Sequence, residues 1–516
     1  MKSFKNYIIL MIGILSFPAF NGCTDLQEEI LDETTGGSLL TEDNLDNLIV
    51  PAYGTLRHLY GRDFVWGLQT ISSDECMFPT RGNDWDDGGI WRALHMHTWR
   101  PAHSVIKSTW DQLMTGVARA NYSMQIINDF EQTQKVADYM AELRLLRALY
   151  NFYIMDLFGQ LPVRDFMEID YSIKPEVLSR SEAFDHLVGE LNEIMPQLKD
   201  KYDVSYGRMN KDVATMLLAK LYLNKEVYTG TPGWEECKSY CEELINSGRY
   251  ALMSNYWDIF STDNHQYFNN SSEAILAVIY DDTQDLGYNA NTLFLLNTLH
   301  YQQTFGTGYV PYNGAVIPQD FVLRFDTAND LRFQSEVIPE LGTNRGILLG
   351  IQRDPEGEPI IDANNQQVLS YALECPIFAG RMDGARVLKY GPKVPTTNPN
   401  RIDYDFVVWR IADVYLMLSE AKIRLGENGD DELNEVRAIR GLDEITGATL
   451  DDIINERGFE LYWEGHRRQD LIRFGKFNEA WHEKPVSAEI YKIFPIPQSA
   501  IDAYNDESVL PQNPGY

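Results

Sequence analysis

Basic residues are scarce in this 516-residue sequence, which has 44 Lys and Arg against 76 Asp and Glu and a formal net charge of -32. A surface of that sign repels phosphate backbones, so nucleic acid is excluded as the main partner. The same field disfavours polyanionic ligands unless a local basic patch overrides the mean charge. Composition is otherwise ordinary for a folded protein, at 44% hydrophobic residues, so most of the chain is predicted to be folded and not disordered.

Catalytic signatures are missing as well. The sequence contains no HExxH, GxSxG or Walker motif. A glycosidase needs only two carboxylates facing a sugar, and with 76 acidic residues the sequence cannot test that alternative. His95 and His97 would share one face if their segment is a strand, and His103 follows. Two nearby imidazoles could bind zinc, but no clear third ligand stands out. Histidines that hydrogen-bond within the fold are therefore the favoured interpretation.

The apolar run near the N-terminus, Tyr7 to Phe20, is too short for a membrane span. It follows Lys2 and Lys5, as in a secretory signal peptide. The run ends at a glycine followed by Cys23, which is similar to a bacterial lipobox. We therefore predict that residues 1–22 are removed and that Cys23 is lipidated, with ordinary cleavage beside a chance cysteine as the alternative.

Positive charge is also missing from the segment that follows, because no Lys or Arg occurs between Lys5 and Arg57. Residues 23–40 carry several carboxylates and a pair of glycines, and such a segment is predicted to act as a solvated, flexible tether. An acidic stretch behind a lipidated cysteine resembles the surface-export signal of Bacteroidota lipoproteins. That resemblance implies an outer-membrane location, facing the cell exterior.

Only five cysteines are present. Cys237 and Cys241 lie four residues apart in a helical segment, where a disulfide is geometrically poor and two thiolates make a weak metal site. Together with the isolated Cys76 and Cys375, they are predicted to be buried free thiols.

Helical periodicity dominates the chain. Apolar residues recur at spacings of three and four in 138–158, 212–224 and 410–425, and a capping box at Thr449–Asp452 opens a fourth helix that is predicted to run through residue 464. Helices paired by short turns are typical of helical-repeat packing, although no clean fixed period is present.

Two long stretches, 62–100 and 255–405, are irregular and rich in Gly, Pro, Asn, Asp and aromatic residues. Loops of that length in a compact protein are usually functional. A short strand is predicted at 274–280 and a turn at 354–357.

These loops have the composition of a sugar-binding surface. An aromatic ring covers the C–H face of a sugar, and a neighbouring Asp, Asn or Arg bonds its hydroxyl groups. The alternative is that the rings pin the loops to the scaffold. A second aromatic group includes Phe305 and Tyr312. The predicted glycan contacts are Trp66, Asp74, Arg81, Asn83, Asp84, Trp85, Trp91, Tyr301 and Tyr309.

The loop at 84–88, Asp-Trp-Asp-Asp-Gly, also offers oxygen ligands for a structural calcium ion. It lacks the full spacing of a calcium-binding loop, so calcium stays an open alternative and no other cofactor is expected.

Several stretches occur in an order typical of one family. They are LRALY followed by FGQLPV within 145–163, ATMLLAKLYL at 214–223, RIADVYLM at 410–417, ER through EGHR to DL within 456–471, and FPIP at 494–497 with QNPGY at 512–516. With these motifs and the lipidation signal, the chain resembles the SusD/RagB family of Bacteroidota glycan-binding lipoproteins.

The resemblance implies a mostly α-helical domain over 41–516, with an N-terminal part at about 41–228 and a C-terminal part at about 270–516. It implies a tetratricopeptide-like scaffold of helix pairs, an irregular loop-rich binding face and a few short strands. It also implies a partner, a SusC-like TonB-dependent barrel over which the lipoprotein sits as a lid.

The predicted function is therefore non-catalytic capture of a neutral oligo- or polysaccharide at the cell surface and its delivery to that transporter. A peptide-capturing RagB-like receptor and a surface endo-glycosidase are the alternatives. The charged residues within the helical motifs are predicted to form internal ion pairs and not a binding site. They are Arg147, Glu456, Arg457, Glu460, Arg467 and Asp470.

Overall fold

A computed structural model describes residues 42–168, 170, 172–268, 273–280, 298–305, 310–391, 404–504 and 506–516. The predicted lipidation site Cys23 and the predicted contact Tyr309 lie outside these residues. The described residues belong to one compact unit.

Helices account for most of the regular structure in the described part of the chain. They are α1 (Leu45–Gly54), α2 (Leu56–Leu59), α3 (Val65–Ile71), α4 (Ile90–His95), α5 (Ser104–Asn128), α6 (Gln134–Phe158), α7 (Arg180–Ile194), α8 (Lys211–Leu223), α9 (Lys225–Thr229), α10 (Trp234–Asn246), α11 (His265–Phe268), α12 (Gln319–Val322), α13 (Ile411–Arg424), α14 (Asp430–Ile439), α15 (Leu450–Leu461), α16 (Arg467–Arg473) and α17 (Gln498–Asp502).

The long helices pack as successive pairs. Helix α5 packs on α6, α6 on α7, α8 on α10, α10 on α13, and α13 on both α14 and α15. Helix α6 is buried on more than one side, since nearly all its residues from Leu143 to Phe158 are inaccessible. Its end is set by Gly159, whose φ of +70° is a left-handed conformation that favours glycine. This arrangement confirms the predicted tetratricopeptide-like scaffold.

The predicted helix positions are confirmed with small shifts at the ends. Helix α6 begins four residues earlier than predicted, where the Thr133 side chain accepts a hydrogen bond from the backbone of Val136. The capping box is present, because Thr449 and Asp452 each accept from the other's backbone N–H. Helix α15 then ends at Leu461 instead of residue 464, since Trp463 has a φ of +62°.

The strands are short and antiparallel. They are β1 (Gln160–Val163), β2 (Glu176–Ser179), β3 (Ala274–Val278), β4 (Gln334–Ile338), β5 (Thr343–Leu348), β6 (Gly350–Ile351), β7 (Ser370–Tyr371), β8 (Arg386–Leu388) and β9 (Phe406–Arg410). Strand β1 pairs with β2, β3 with β9, β6 with β7, and β5 lies between β4 and β8. The predicted strand is β3, and the predicted turn is closed by a hydrogen bond from Gly357 N–H to Asp354 O.

The motif charges form an ion-pair network inside the protein, as predicted. The Glu460 carboxylate lies 2.9 Å from Arg332, 2.5 Å from Arg410 and 2.9 Å from Arg440, and all four side chains are fully buried. Burial alone would raise the pKa of Glu460, but the three guanidinium groups hold it well below its usual range. The other motif charges pair similarly with buried partners: Arg147 with Glu190, Glu456 with Arg332, Arg457 with Asp470, and Arg467 with Asp74.

The four cysteines of the described residues are free and buried, as predicted. The Sγ atoms of Cys237 and Cys241 lie 4.0 Å apart on one face of α10. None of the helices in the described part of the chain is both long enough and apolar enough to cross a membrane.

Candidate functional site

Three loops from distant parts of the sequence are joined by backbone hydrogen bonds at one surface. Met77 pairs with Val316 through two hydrogen bonds of 3.0 and 2.8 Å. Thr80 pairs with Phe378, because Thr80 N–H donates to Ile377 O and Thr80 O accepts from Ala379 N–H, both at 2.9 Å. The loop predicted to bind sugar is thereby fixed against the loops at 310–317 and 376–385.

Trp85 lies at the centre of this surface. Its indole N–H donates to the carbonyl oxygen of Tyr312 at 2.8 Å, and its ring packs on Phe78 with centroids 4.9 Å apart. The ring is half-buried, so part of it remains accessible. The preceding residues Asn83 and Asp84 are exposed at a tight turn that Arg81 and Asp84 close with mutual backbone hydrogen bonds. The structure therefore places these three predicted contacts side by side.

Two predicted contacts, Trp66 and Trp91, are corrected by the structure. Only 1% of Trp66 and 2% of Trp91 is exposed, so neither ring offers a face to a sugar. The Trp66 indole donates to the carbonyl oxygen of Trp463, and the Trp91 indole donates to an Asp87 carboxylate oxygen at 2.6 Å. Both rings pin loops to the scaffold, which is the alternative that the sequence left open.

Asp74 is also corrected, because its carboxylate is buried in ion pairs. It lies 2.7 Å from Arg467 and 2.6 Å from Arg324. Burial would raise the pKa of Asp74, but the two guanidinium groups hold it far below its usual range. Asp74 joins α16 to the segment just after α12, and only 6% of the residue is exposed.

Arg81 is the fourth corrected residue. Its side chain is buried and donates to the carbonyl oxygens of Gly380 and, at 2.9 Å, of Asp383. Burial and the neighbouring Arg386 lower the pKa of Arg81 to about 9, which still leaves it charged at neutral pH. Arg81 ties its own loop to the loop at 380–383, and its buried guanidinium group is not offered to a ligand.

Tyr301 is half-buried at the edge of the same surface. Its ring lies 4.0 Å from the ring of His300 and 5.5 Å from the guanidinium carbon of Arg381. The Tyr301 hydroxyl accepts a hydrogen bond from Asn364 at 3.3 Å. Burial raises the pKa of Tyr301, and the nearby Arg381 guanidinium opposes that shift.

Two exposed aromatics complete the surface, and neither was among the predicted contacts. Phe378 is 66% exposed and Tyr312 is 42% exposed. Phe378 is nevertheless held in place, because its backbone neighbours bond Thr80 and the Arg92 guanidinium carbon lies 5.1 Å from its ring. Tyr312 belonged to the second aromatic group in the sequence. The indication for Phe378 in the sequence was weaker, because it is a single aromatic residue in the short segment between Pro376 and Gly380.

We call the surface formed by Trp85, Tyr301, Tyr312 and Phe378 the aromatic face. Its loops contain strained backbone. Of the eight non-glycine residues with positive φ in the described chain, Trp85, Asp87, Phe305 and Asn313 lie in the loops that carry these rings. Such strain persists where the surrounding structure imposes it and concentrates at functional sites.

The calcium alternative gains no support from the geometry. The Asp86 carboxylate lies 2.6 Å from Arg92, and the Asp87 carboxylate accepts from the Trp91 indole. Within the described ranges, His, Cys, Asp and Glu side chains form no group of three or more that could hold a metal ion.

The nearby histidines hydrogen-bond within the fold, as favoured. His95 Nε2 bonds His482 O at 2.9 Å, His97 bonds Ser72 O and Ser487 Oγ, and His103 bonds a backbone carbonyl at 3.0 Å. Burial lowers the pKa of His95 to about 4, so this side chain is neutral at physiological pH.

Comparison with known proteins decides the family. The sequence model of the SusD family matches residues 257–516, which is half of the chain and includes most of the loops around the aromatic face. The chain belongs to the SusD family. The N-terminal motifs at 145–163 and 214–223 lie outside that match.

Relatives extend the SusD-family likeness over the whole chain. The starch-binding protein SusD of Bacteroides thetaiotaomicron is 25% identical over 560 residues, covering 98% of each chain. A SusD superfamily protein from Parabacteroides distasonis shares the fold with a TM-score of 0.72 at 20% identity, over 92% of this chain and 99% of that one. Surface glycan-binding protein A from Bacteroides thetaiotaomicron, solved in complex with laminarihexaose, has a TM-score of 0.69 at 21% identity, over 91% and 99% of the two chains. The SusD fold therefore includes both the helix pairs and the loop-rich side.

Proposed function

We propose that this SusD-family protein captures a glycan on the aromatic face without cleaving it. The observation that carries the proposal is Phe378, an aromatic side chain that is two-thirds exposed yet fixed by backbone pairing. Exposing an immobilised apolar ring to water is unfavourable, and covering it with the apolar face of a sugar removes that cost. Asn83 and Asp84 stand beside Trp85 as exposed partners for sugar hydroxyls.

The relatives support the same ligand class. One is named as a starch-binding protein, and another was solved with a laminarin hexasaccharide. A glycan with a largely neutral chain suits the net charge of -32, because a densely charged polyanion would be repelled at long range. Retention of the protein in polysaccharide affinity gels tests the proposal. Retention by peptides alone would favour the peptide-receptor alternative.

We further propose that the protein delivers its ligand to a SusC-like TonB-dependent barrel in the outer membrane. Residues 24–40 comprise 17 residues whose composition predicts a flexible tether, and a chain of that length has a root-mean-square span of roughly 20–25 Å. A tether of that span keeps two partners at high effective concentration, so a modest interface can hold them together. A lid that opens to load and closes to deliver would need the same slack.

Lipid anchoring through Cys23 is tested by the change Cys23→Ala. The cysteine follows an apolar run and precedes carboxylates, and lipidation would make it the attachment point. The variant is expected to lose membrane attachment, as measured by fractionation and by antibody labelling of intact cells. Cys375→Ala, at a buried cysteine of the folded domain, should remain attached. A Cys23 variant that stays membrane-bound and surface-exposed would contradict the anchor.

The transporter partnership is tested by affinity purification from native membranes in mild detergent. The expected result is recovery of a large barrel protein in near-equal amount, because the lid and the barrel would form a stable complex. Recovery of this protein alone, even after gentle crosslinking of intact cells, would replace the lid proposal with an independent surface receptor.

A further inference from the structure

Arg381 stands at the rim of the aromatic face with its guanidinium group beside the Tyr301 ring. The residue is exposed, and its guanidinium carbon lies 5.5 Å from the Tyr301 ring. Among the described residues, no side-chain hydrogen bond or ion pair engages that guanidinium. Its backbone is fixed, since Arg381 O accepts hydrogen bonds of 3.0 Å from both Asn313 and Arg386. A fixed backbone and a guanidinium group without an ion-pair partner are expected of an arginine that binds an anionic group of a ligand.

Two buried arginines lie directly beneath. Arg81 and Arg386 both donate to the carbonyl oxygen of Asp383, at 2.9 and 2.7 Å. Within the described part of the chain, neither forms an ion pair, whereas Arg332 and Arg410, in the network around Glu460, each pair with buried carboxylates. Backbone carbonyls solvate the Arg81 and Arg386 charges but do not neutralise them.

Three carboxylates face this part of the structure. Asp383 accepts a hydrogen bond from Gly380 N–H at 2.6 Å, Asp84 is exposed beside Trp85, and Asp362 is buried 3.9 Å from His300. Arg62 and Arg92 also lie over rings of the face and pair with Asp63 and Asp86, and Asp87 accepts from Trp91. Five arginines against six aspartates make the aromatic face nearly neutral, within a chain that has 76 acidic residues and 44 basic ones. The aromatic face is therefore less negative than the chain as a whole, so a single negative group of a ligand is not repelled there.

From this arrangement we infer that the aromatic face selects glycans with isolated acidic substituents, a carboxylate or a sulfate ester on an otherwise neutral chain, and that Arg381 binds the substituent. The inference rests on the proposed glycan-binding function and specifies its ligand. A guanidinium group matches two oxygens of either substituent with parallel hydrogen bonds, and such charge-assisted bonds are stronger than neutral ones. The acidic chain as a whole still disfavours a densely charged polymer.

Matched ligands separate charge from stacking. The polysaccharide that the wild-type protein retains best in an affinity-gel panel is prepared in two forms that differ only in acidic groups. If the retained polysaccharide is neutral, its acidic form is made by oxidising a small fraction of its primary alcohols to carboxylates or, in a second arm, by light sulfation. If the retained polysaccharide is acidic, its neutral form is made by reducing its carboxylates or by removing its sulfate esters. The sparsely acidic form is expected to bind about tenfold more tightly, and raised salt should reduce that difference.

The variant Arg381→Gln is expected to remove the preference while leaving affinity for the neutral form within about twofold. Arg381→Lys should restore part of the preference, because it keeps the charge but not the two-pronged geometry. Lys238→Gln, which removes one positive charge from helix α10, is the matched control and should leave the preference intact.

Two results would contradict the role of Arg381 and leave the proposed glycan binding intact. One is equal binding of both ligand forms by the wild-type protein, and the other is a preference that survives Arg381→Gln. Failure to retain any polysaccharide in the panel would instead reject glycan binding itself. Preference for the carboxylate form over the sulfated form, or the reverse, would identify the substituent.

Discussion

Alanine at both Trp85 and Phe378 is expected to weaken glycan binding about a hundredfold. Each ring would lose a stacking contact with a sugar, worth on the order of 1–2 kcal/mol, and the two losses should add if the rings cover different sugar units. Phe378 is 66% exposed, so its removal costs little packing. Trp85→Ala also uncovers Phe78 and loses the bond to Tyr312, so some loss of stability is expected from that change.

The matched control is Tyr122→Ala. Tyr122 is an equally exposed aromatic, at 63%, but it lies on helix α5 of the scaffold. Its removal should leave affinity unchanged in titrations with the retained polysaccharide. Trp85→Phe, which keeps a ring, should lie between the wild-type and alanine variants. If the Trp85 and Phe378 single variants bind like Tyr122→Ala at a temperature where all remain folded, the ligand does not occupy the aromatic face.

The second large effect is on stability. Glu460→Gln is expected to lower the free energy of unfolding by about 3–5 kcal/mol, because it removes the charge that Arg332, Arg410 and Arg440 share in a fully buried setting. Breaking a buried ion pair on one side leaves the remaining charges uncompensated. Urea denaturation followed by circular dichroism measures the change.

Glu193→Gln is the control for that experiment. Glu193 pairs with Arg144 at 2.8 Å, but 65% of its side chain is exposed, and exposed ion pairs contribute at most about 1 kcal/mol. A Glu460 variant no less stable than this control would show that the network is not needed for stability. Because Glu460 is buried and pairs with Arg332, Arg410 and Arg440, none of which belongs to the aromatic face, affinity for glycan should change little where the variant is folded.

The helical scaffold was predictable because its signals are local. In α6 the apolar residues repeat at helical spacing, and the capping box at Thr449 depends on residues three apart. The ion pairs were predictable for a related reason: Arg457 and Glu460 lie in helical segments that also carry a buried apolar face, and a buried charge requires a partner. Helix ends were less certain, as the break at Trp463 illustrates.

The candidate site was only partly predictable because composition does not distinguish an exposed ring from a buried one. Trp85 and Trp91 lie six residues apart in the same polar stretch of sequence, yet Trp85 is accessible in a loop and Trp91 is covered in helix α4. Phe378 was missed because its place beside this loop depends on pairing with Thr80, nearly 300 residues earlier in the chain. Contacts of that sequence separation leave no periodic pattern.

Titration calorimetry distinguishes binding of a glycan without turnover from its cleavage. The wild-type protein is titrated with oligosaccharides prepared from the retained polysaccharide, and new reducing ends are counted in the cell afterwards. We predict saturable heats that return to baseline after each injection and no increase in reducing ends. A continuing heat signal with accumulating reducing ends would show an endo-glycosidase, and an absence of saturable heat with every oligosaccharide would contradict glycan capture.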